Sequence, residues 1–232
     1  MIIKKHIPNV LTLLNLFSGC IAILYIAQFK FDFAFYAVCT GIFFDFFDGF
    51  FARKFGVSGA LGVQLDSLAD MVTCGVAPGM VMVMLFNGEY TFSAINGYLP
   101  YFGFVITLAS CFRLAKFNID TRQTDSFIGL PTPANALFIM SLPFFVDTNL
   151  SEFLFNKYTL IAITILSAYI MNAELPLFSL KVKNFSVQKY KLQLGFLLLS
   201  LILLVLLQVK AVPIIIVLYV FISIINAVFS KK

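Results

Sequence analysis

Four aspartates in an otherwise apolar stretch, residues 45–70, constrain this chain more than any other feature. They are Asp45, Asp48, Asp66 and Asp70, and the runs that contain them read GIFFDFFDGFFARKF and GALGVQLDSLADMVT. An ionised group at membrane depth costs roughly 2.5–3.5 kcal/mol on insertion scales. Four like charges placed close together cost more unless cations join them. The stretch therefore predicts a site for cations.

The spacing of the four residues predicts how they meet. Asp45 and Asp48 are three residues apart, and Asp66 and Asp70 are four apart, so each pair shares one face of a helix. Two adjacent antiparallel helices can turn these faces toward each other. Oxygen ligands gathered in this way suit Mg²⁺ or Mn²⁺, and the sequence has no cysteine or histidine spacing typical of zinc.

Small and basic residues lie beside the second aspartate. Gly49 and Ala52 fall on or near the face of Asp48 and would let a ligand approach the backbone closely. Arg53 follows at the predicted helix end, where a guanidinium can grip a phosphate. The alternative interpretation is that the carboxylates form an ion or proton pathway, or pair with basic residues.

Composition places the chain in a membrane. It has 232 residues, 61% of them hydrophobic and 12% charged, and a mean hydropathy of +0.98. These values are typical of a multi-spanning membrane protein. A net charge of +5 does not indicate nucleic-acid binding, because the basic residues fall in short loops without a stripe of stacking aromatics. We expect one membrane domain, residues 1–232.

About 20 apolar residues cross a bilayer as a helix. The predicted fold class is all-α, a polytopic membrane helix bundle of about eight transmembrane helices. Their approximate bounds are 8–28, 31–54, 59–87, 97–117, 133–148, 155–175, 192–209 and 212–229. Pro78 lies in the middle of the third span and predicts a kink or a widening of that helix.

The distribution of lysine and arginine predicts the orientation. One side would carry most of the basic residues, namely Lys4, Lys5, Arg53, Lys54, Lys116, Arg122, Lys181, Lys183, Lys189, Lys191, Lys231 and Lys232. The other side would carry Lys30, Lys157 and Lys210. The positive-inside rule then puts both termini, and the carboxylate end of the second and third spans, in the cytoplasm.

The spacing across residues 45–70 resembles the signature of the CDP-alcohol phosphatidyltransferases. Every fixed position of that signature is present, in the order Asp45-x2-Asp48-Gly49-x2-Ala52-Arg53-x8-Gly62-x3-Asp66-x3-Asp70. The resemblance implies a membrane enzyme with two divalent cations, Mg²⁺ or Mn²⁺. Such an enzyme moves a phosphatidyl group from a CDP-linked lipid to an alcohol and releases CMP.

Three further runs resemble the phosphatidylserine synthase branch of that family. They are DSLADMVTCGVAP at 66–78, RLAKFN at 113–118 and FIGLPTP at 127–133. Ser67 and Met71 stand where the branch that accepts glycerol phosphate typically has Pro and Lys. The corner at 172–176 departs from the pattern, because Ala173 and Glu174 stand where Ser and Arg are common. We assign no ligand role to Glu174.

The resemblance implies roles for residues outside the signature. Thr12 and Asn15 on the first span match the family's first helix and would contact the cytidine or its phosphates, although an interhelical hydrogen bond is an equally good interpretation of Asn15. Arg113 lies one turn inside the fourth span, where a cation needs an anionic partner. That partner is an aspartate of the cluster, a lipid phosphate or the carboxylate of serine, or the side chain instead reaches the membrane interface by snorkelling. Lys116 shares its face.

The expected reaction joins CDP-diacylglycerol and L-serine to give phosphatidylserine and CMP. Asp45, Asp66 and Asp70 would be catalytic and hold the two metals, with Asp48 completing the metal cluster and the substrate site. By the resemblance, Asp70 is the general base. We expect Gly49, Ala52 and Arg53 to bind the donor lipid.

Other functions stay open at this point. One is the same chemistry with glycerol 3-phosphate or an inositol phosphate as acceptor, and another is a cation transporter that uses the aspartates. We expect the last two spans, 192–229, to be scaffold or the surface of a homodimer in contact with membrane lipids.

Overall fold

The structure is a computed structural model that describes residues 2–57, 59–88, 97–120, 127–178 and 191–229, with the side chains of 2–5 and 127 outside that description. The described chain is almost entirely helical. Ten α-helices follow one another within it: α1 (Ile2–Ala27), α2 (Phe31–Phe55), α3 (Ala60–Asp70), α4 (Ala77–Asn87), α5 (Val105–Ile119), α6 (Thr132–Ser141), α7 (Ser151–Leu154), α8 (Lys157–Asn172), α9 (Lys191–Leu207) and α10 (Ala211–Phe229).

Irregular helical turns extend several of these helices. A π-helical segment, Met71–Val76, joins α3 to α4. One 3₁₀ turn, Leu99–Phe104, precedes α5, and another, Leu142–Phe145, follows α6. A third, Gln208–Lys210, links α9 to α10. By length and composition, five helical stretches are apolar enough to cross a membrane. They are His6–Ala27, Phe31–Phe55, Ala60–Asn87, Leu99–Ile119 and Lys191–Phe229. The predicted all-α membrane bundle is confirmed.

The last stretch, Lys191–Phe229, is a helical hairpin. A straight helix would hold Phe196 and Tyr219 more than 30 Å apart, yet their ring centroids are 5.7 Å apart. Gln208 has a positive φ of 52° at the reversal. The two predicted spans at 192–209 and 212–229 therefore correspond to α9 and α10.

The predicted fifth and sixth spans are shorter in the structure. The fifth consists of α6 and the 3₁₀ turn that ends at Phe145. The α-helix does not continue further because Pro143 cannot donate a backbone hydrogen bond. The sixth is the 16-residue helix α8. Each is shorter than the 18 residues or more of the five stretches above.

The core lies where α1, α2, α4 and α6 meet. Its fully buried side chains include Ile26, Val38, Met82 and Ile139. The helices α1 and α2 are antiparallel neighbours joined by a tight turn, and α1 also packs on α3 and on the π-helical segment. This arrangement lays one face of α1 against Asp48 and Asp70 of the signature.

A short strand pair fixes the loop before α6. The strand β1 (Phe127–Ile128) pairs antiparallel with β2 (Pro176–Leu177). Gly129 donates its backbone N–H to Leu175 O at 2.8 Å and has a φ of +75°, which side chains with a Cβ rarely adopt. The loop that leads into α6 is thereby held against the end of α8.

The ends of α2, α5 and α8 lie at one end of the bundle, together with the start of α6. Lys116 near the end of α5 is 4.0 Å from Glu174, just past α8. Several residues of the orientation argument lie outside the described residues: Arg122, Lys181, Lys183, Lys189, Lys231 and Lys232. The side of the membrane that this end faces stays a prediction.

Candidate active site

Three carboxylates meet between α2 and α3. Oxygen atoms of Asp45, Asp48 and Asp66 all lie within 4.8 Å of one another. The predicted helical spacings explain this, because α2 presents Asp45 and Asp48 on one face and α3 runs back beside it. Asp70 ends α3 and is 7% exposed. It lines a cavity together with Asp45 and Asp66.

This cluster fits divalent cations. Its ligand atoms are carboxylate oxygens, which Mg²⁺ and Mn²⁺ prefer. Within the described part of the chain, no lysine or arginine forms an ion pair with any of the four aspartates. Like charges at this depth need a counter-charge, and bound cations would supply one.

Two polar side chains of α1 hold the aspartates. The Thr12 hydroxyl contacts Asp48 Oδ2 and Pro8 O. Asn15 donates its amide Nδ2 to Asp70 Oδ1 at 3.0 Å, and Thr73 in the π-helical segment donates to Asn15 O at 3.0 Å. Asn15 is fully buried and lines neither cavity described below. The structure thus shows an interhelical hydrogen bond for Asn15, and its predicted contact with the nucleotide stays a prediction.

A first cavity of about 160 Å³ opens on the Asp48 side of the cluster. Its walls are the start of α1, the end of α2 and the start of α3. They comprise Pro8, Asn9, Thr12, Asp48, Gly49, Ala52, Arg53, Val57, Gly59, Gly62, Val63 and Asp66. Five of the predicted donor-site residues thus surround one space. We refer to it as the Arg53 cavity.

The predicted role of small residues in this wall has a geometric basis. A Cβ added to Gly49 would stand 3.3 Å from Arg53 Nη1, so the guanidinium lies directly over the bare backbone of Gly49. Gly62 has only Asn9 Oδ1 near its missing Cβ, at 3.8 Å. Both glycines keep the floor of the Arg53 cavity open beside Asp48.

A second cavity, of about 210 Å³, opens on the other side of the cluster. We refer to it as the Arg113 cavity. Its walls come from α2, α3, α5 and the loop that enters α6. They comprise Asp45, Asp66, Ser67, Asp70, Arg113, Leu114, Phe117, Pro131, Thr132 and Pro133. Arg113 is 4% exposed, and its Nη2 lies 3.4 Å from Gly129 O.

Asp66 lines both cavities, whereas Asp48 lines only the first and Asp70 only the second. The carboxylate cluster therefore separates two polar spaces, with the exposed Arg53 in the wall of one and the buried Arg113 in the wall of the other. Chemically, this arrangement can hold two anionic groups on opposite sides of a shared metal site.

Some residues of the Arg113 cavity were not assigned from the sequence. Thr132, Pro131 and Pro133 form its wall, and the GLPTP run was the signal that marked them. Ser67 and Asn118 exchange hydrogen bonds at 2.9 and 3.2 Å across α3 and α5. Nothing in the spacing along either helix indicates that pair.

Lys116 lies apart from both cavities. Although predicted on the face of Arg113, it does not line the Arg113 cavity and lies 4.0 Å from Glu174. The pair is partly exposed to solvent, so it contributes little to stability. It links the ends of α5 and α8 beside the loop that carries Gly129.

Comparison with known proteins places this geometry in context. The sequence model of the family described as CDP-alcohol phosphatidyltransferase matches residues 5–170. A CDP-diacylglycerol–serine O-phosphatidyltransferase of Bacillus subtilis is 36% identical over 144 residues, which are 60% of this chain and 76% of that protein.

Two further relatives extend the comparison. The enzyme of the same name from Helicobacter pylori strain 26695 is 30% identical over 200 residues, 82% of this chain and 77% of that protein. An archaetidylserine synthase of Methanothermobacter thermautotrophicus is 32% identical over 163 residues, 69% of this chain and 66% of that protein.

Proposed function

This chain belongs to the CDP-alcohol phosphatidyltransferase family, and from that membership we propose that it transfers the phosphatidyl group of CDP-diacylglycerol to L-serine. The products are phosphatidylserine and CMP. The observation that carries the choice of serine is Arg113, a buried cation in a cavity that shares Asp66 with the Arg53 cavity. The names of the relatives in bacteria and archaea agree with this choice.

Asp45, Asp48, Asp66 and Asp70 would hold two divalent cations, Mg²⁺ or Mn²⁺. Bound there, the cations would neutralise the pyrophosphate of the donor and stabilise the charge that develops as CMP leaves. The support for this assignment is the close approach of three carboxylates and the absence of an ion pair to them among the described residues.

We assign the nucleotide end of the donor lipid to the Arg53 cavity. Gly49 and Ala52 leave room beside the backbone, and the Arg53 guanidinium can donate two parallel hydrogen bonds to a phosphate. Thr12 keeps Asp48 in place through its hydroxyl. In this assignment Asn15 does not touch the nucleotide; it orients Asp70.

We assign serine to the Arg113 cavity. The guanidinium of Arg113 would bind the serine carboxylate, a group that a plain alcohol lacks. The serine hydroxyl would then face Asp70, which lines the same cavity. Asp70 takes the hydroxyl proton as the serine oxygen bonds to the phosphorus of the phosphatidyl group and the bond from that phosphorus to the CMP oxygen breaks.

The whole chain, residues 1–232, is proposed to form one membrane domain. The family match ends at residue 170, and the hairpin of α9 and α10 lies beyond it. These helices expose many large apolar side chains, which suits contact with lipid or with a second copy in a homodimer. We propose that both termini and the active site face the cytoplasm, as the distribution of lysine and arginine predicts.

Labelling of single cysteines in intact cells tests this orientation. In a background that lacks Cys20, Cys39, Cys74 and Cys111, Gly56→Cys at the end of α2 should resist a membrane-impermeant thiol reagent until the cells are opened. Labelling of Gly56→Cys in intact cells would reverse the proposed orientation of the active site.

The proposed reaction is tested with purified protein, CDP-diacylglycerol and a panel of acceptors. The panel contains L-serine, glycerol 3-phosphate and an inositol phosphate, and both CMP and the lipid product are measured. L-Serine should give phosphatidylserine, and the other two acceptors should give no lipid product. Removal of divalent cations should stop CMP release. A lipid product from another acceptor but not from serine would contradict the serine assignment. Cation flux without CMP release would favour a transporter.

A further inference from the structure

The start of α6 forms one wall of the Arg113 cavity. Pro131, Thr132 and Pro133 all line that cavity, and they are the residue before α6 and its first two residues. The first N–H groups of an α-helix have no partner within the helix, and its first turn carries a partial positive charge. No side chain of the described residues caps this end of α6. The helix start therefore adds to the positive character that Arg113 gives the cavity.

Thr132 is the residue at this helix start whose side chain can form hydrogen bonds. It is 4% exposed, and its hydroxyl has no hydrogen-bond partner among the described residues. The buried hydroxyls of Thr12, Thr73 and Thr164 each have one. Whereas the unpaired amide oxygen of Asn15 is enclosed, the Thr132 hydroxyl stays accessible from the Arg113 cavity. A buried polar group without a partner is costly, so this hydroxyl indicates a ligand with a complementary group.

The surroundings of the hydroxyl favour an anionic group. Arg113 lines the same cavity and is equally buried. A guanidinium, the start of a helix and a hydroxyl that can donate together suit an anion better than a cation. A carboxylate has two oxygens that accept about four hydrogen bonds between them, so Arg113 and Thr132 can bind the same carboxylate.

We propose that Thr132 helps to select acceptors that carry a carboxylate. Its hydroxyl donates a hydrogen bond to the carboxylate of the acceptor, and the Arg113 guanidinium binds the same carboxylate. This role rests on the proposed transfer to L-serine and adds a residue that distinguishes serine from alcohols without an anionic group. Such an alcohol leaves the Thr132 hydroxyl unpaired, and a site with a buried unpaired group discriminates strongly against the ligand that leaves it so.

Three variants separate the hydroxyl from the shape of the side chain. Thr132→Val removes the hydroxyl and keeps the branched shape, whereas Thr132→Ser keeps the hydroxyl and removes the methyl group. Thr164→Val is the matched control. Thr164 is fully buried on α8, donates its hydroxyl to Leu160 O at 2.8 Å and lines neither the Arg53 nor the Arg113 cavity.

Steady-state kinetics with CDP-diacylglycerol and L-serine give the first measurement. Two analogues of serine are then tested as acceptors or, where turnover is slow, as competitive inhibitors of serine. Ethanolamine keeps the hydroxyl and the ammonium group of serine without the carboxylate, and 3-hydroxypropanoate keeps the hydroxyl and the carboxylate without the ammonium group.

Thr132→Val should raise KM for serine roughly tenfold, because a hydrogen bond to a charged group is lost. The constant for 3-hydroxypropanoate should rise by a similar factor, while kcat, KM for CDP-diacylglycerol and the constant for ethanolamine should change less than about twofold. Thr132→Ser should stay within about threefold of the unmodified protein, and Thr164→Val should match it.

Three outcomes would overturn the proposal while leaving the serine reaction intact. An unchanged KM for serine in Thr132→Val would mean that water satisfies the hydroxyl. A weakened ethanolamine with an unchanged 3-hydroxypropanoate would place the hydroxyl on the ammonium group. Equal losses in Thr132→Val and Thr132→Ser would make the shape of the side chain responsible. If the unmodified protein formed no phosphatidylserine at all, the proposed function would fail, and the role of Thr132 with it.

Discussion

At the scale of single residues, the site depends on how each aspartate is held. Asp48 and Asp70 receive hydrogen bonds from Thr12 and Asn15 on α1. Asp66 lies between the two polar cavities. The first helix therefore orients the carboxylates, and the second and third helices supply them.

Replacing Asp66 by Asn tests whether charge or size matters. Asn keeps the shape of the side chain but removes the negative charge that a divalent cation requires, so transfer should fall below detection at saturating Mg²⁺ or Mn²⁺. CMP release measures the loss, and the elution volume of the purified variant checks that it is folded. Near-normal turnover would contradict the metal assignment.

Replacing Asn15 by Ala tests its role in orienting Asp70. Loss of a hydrogen bond to a charged group is worth roughly 1.5–3 kcal/mol, so kcat should fall roughly tenfold to a hundredfold while KM for both substrates stays nearly constant. A rise in KM for CDP-diacylglycerol alone would instead make Asn15 a nucleotide contact. Asn15→Asp should be worse than Asn15→Ala, because it adds a like charge beside Asp70.

At the scale of elements, the loop between β1 and α6 shapes the Arg113 cavity. Gly129 places its carbonyl 3.4 Å from Arg113 Nη2, and Pro131 and Thr132 form the adjacent wall. The strand pair of β1 and β2 ties this loop to the end of α8. The shape of the Arg113 cavity therefore depends on the packing of α5 against α8, and under the proposed assignment serine binding would depend on it too.

Gly129→Ala should damage both stability and serine binding. A Cβ at this position would lie 2.5 Å from Met171 O, and the φ of +75° adds strain of roughly 1–3 kcal/mol. We expect a lower Tm and a raised KM for serine. Gly195→Ala on α9 is the control, because nothing lies within 4 Å of its added Cβ. Equal Tm values for the two variants would contradict this account of the loop.

The facing aspartate pairs and the disturbance of the third span could be predicted from the sequence. The spacing of Asp45, Asp48, Asp66 and Asp70 predicts two facing carboxylate pairs because a helix repeats every 3.6 residues. Pro78 predicts a disturbance in its span, and the π-helical segment Met71–Val76 lies directly before it. Its form as a π-helix could not be predicted, because it depends on packing against α1 and α5.

At the scale of the whole molecule, the positions of the eight predicted helical segments followed from hydropathy, but contacts between distant helices did not. The bonds from Thr12 and Asn15 to the aspartates require the register between α1 and its neighbours, which no single helix encodes. The contact of Lys116 with Glu174 likewise requires α5 and α8 to end together. An apolar cavity of about 380 Å³ lies where α6, α8 and α10 meet, and the periodicity of each helix gave no indication of it.

In the whole molecule, the two cavities are proposed to divide the substrates, with the donor nucleotide beside Arg53 and serine beside Arg113. Steady-state kinetics of Arg53→Ala and Arg113→Ala, each with both substrates varied, tests this division most directly. Arg113→Ala should raise KM for serine roughly tenfold to a hundredfold and KM for CDP-diacylglycerol much less. Arg53→Ala should show the reverse pattern, and Arg113→Lys should recover only part of the loss because a point charge replaces a two-pronged donor. An unchanged KM for serine in Arg113→Ala, with a raised KM for CDP-diacylglycerol, would assign Arg113 to the lipid phosphate and contradict the account.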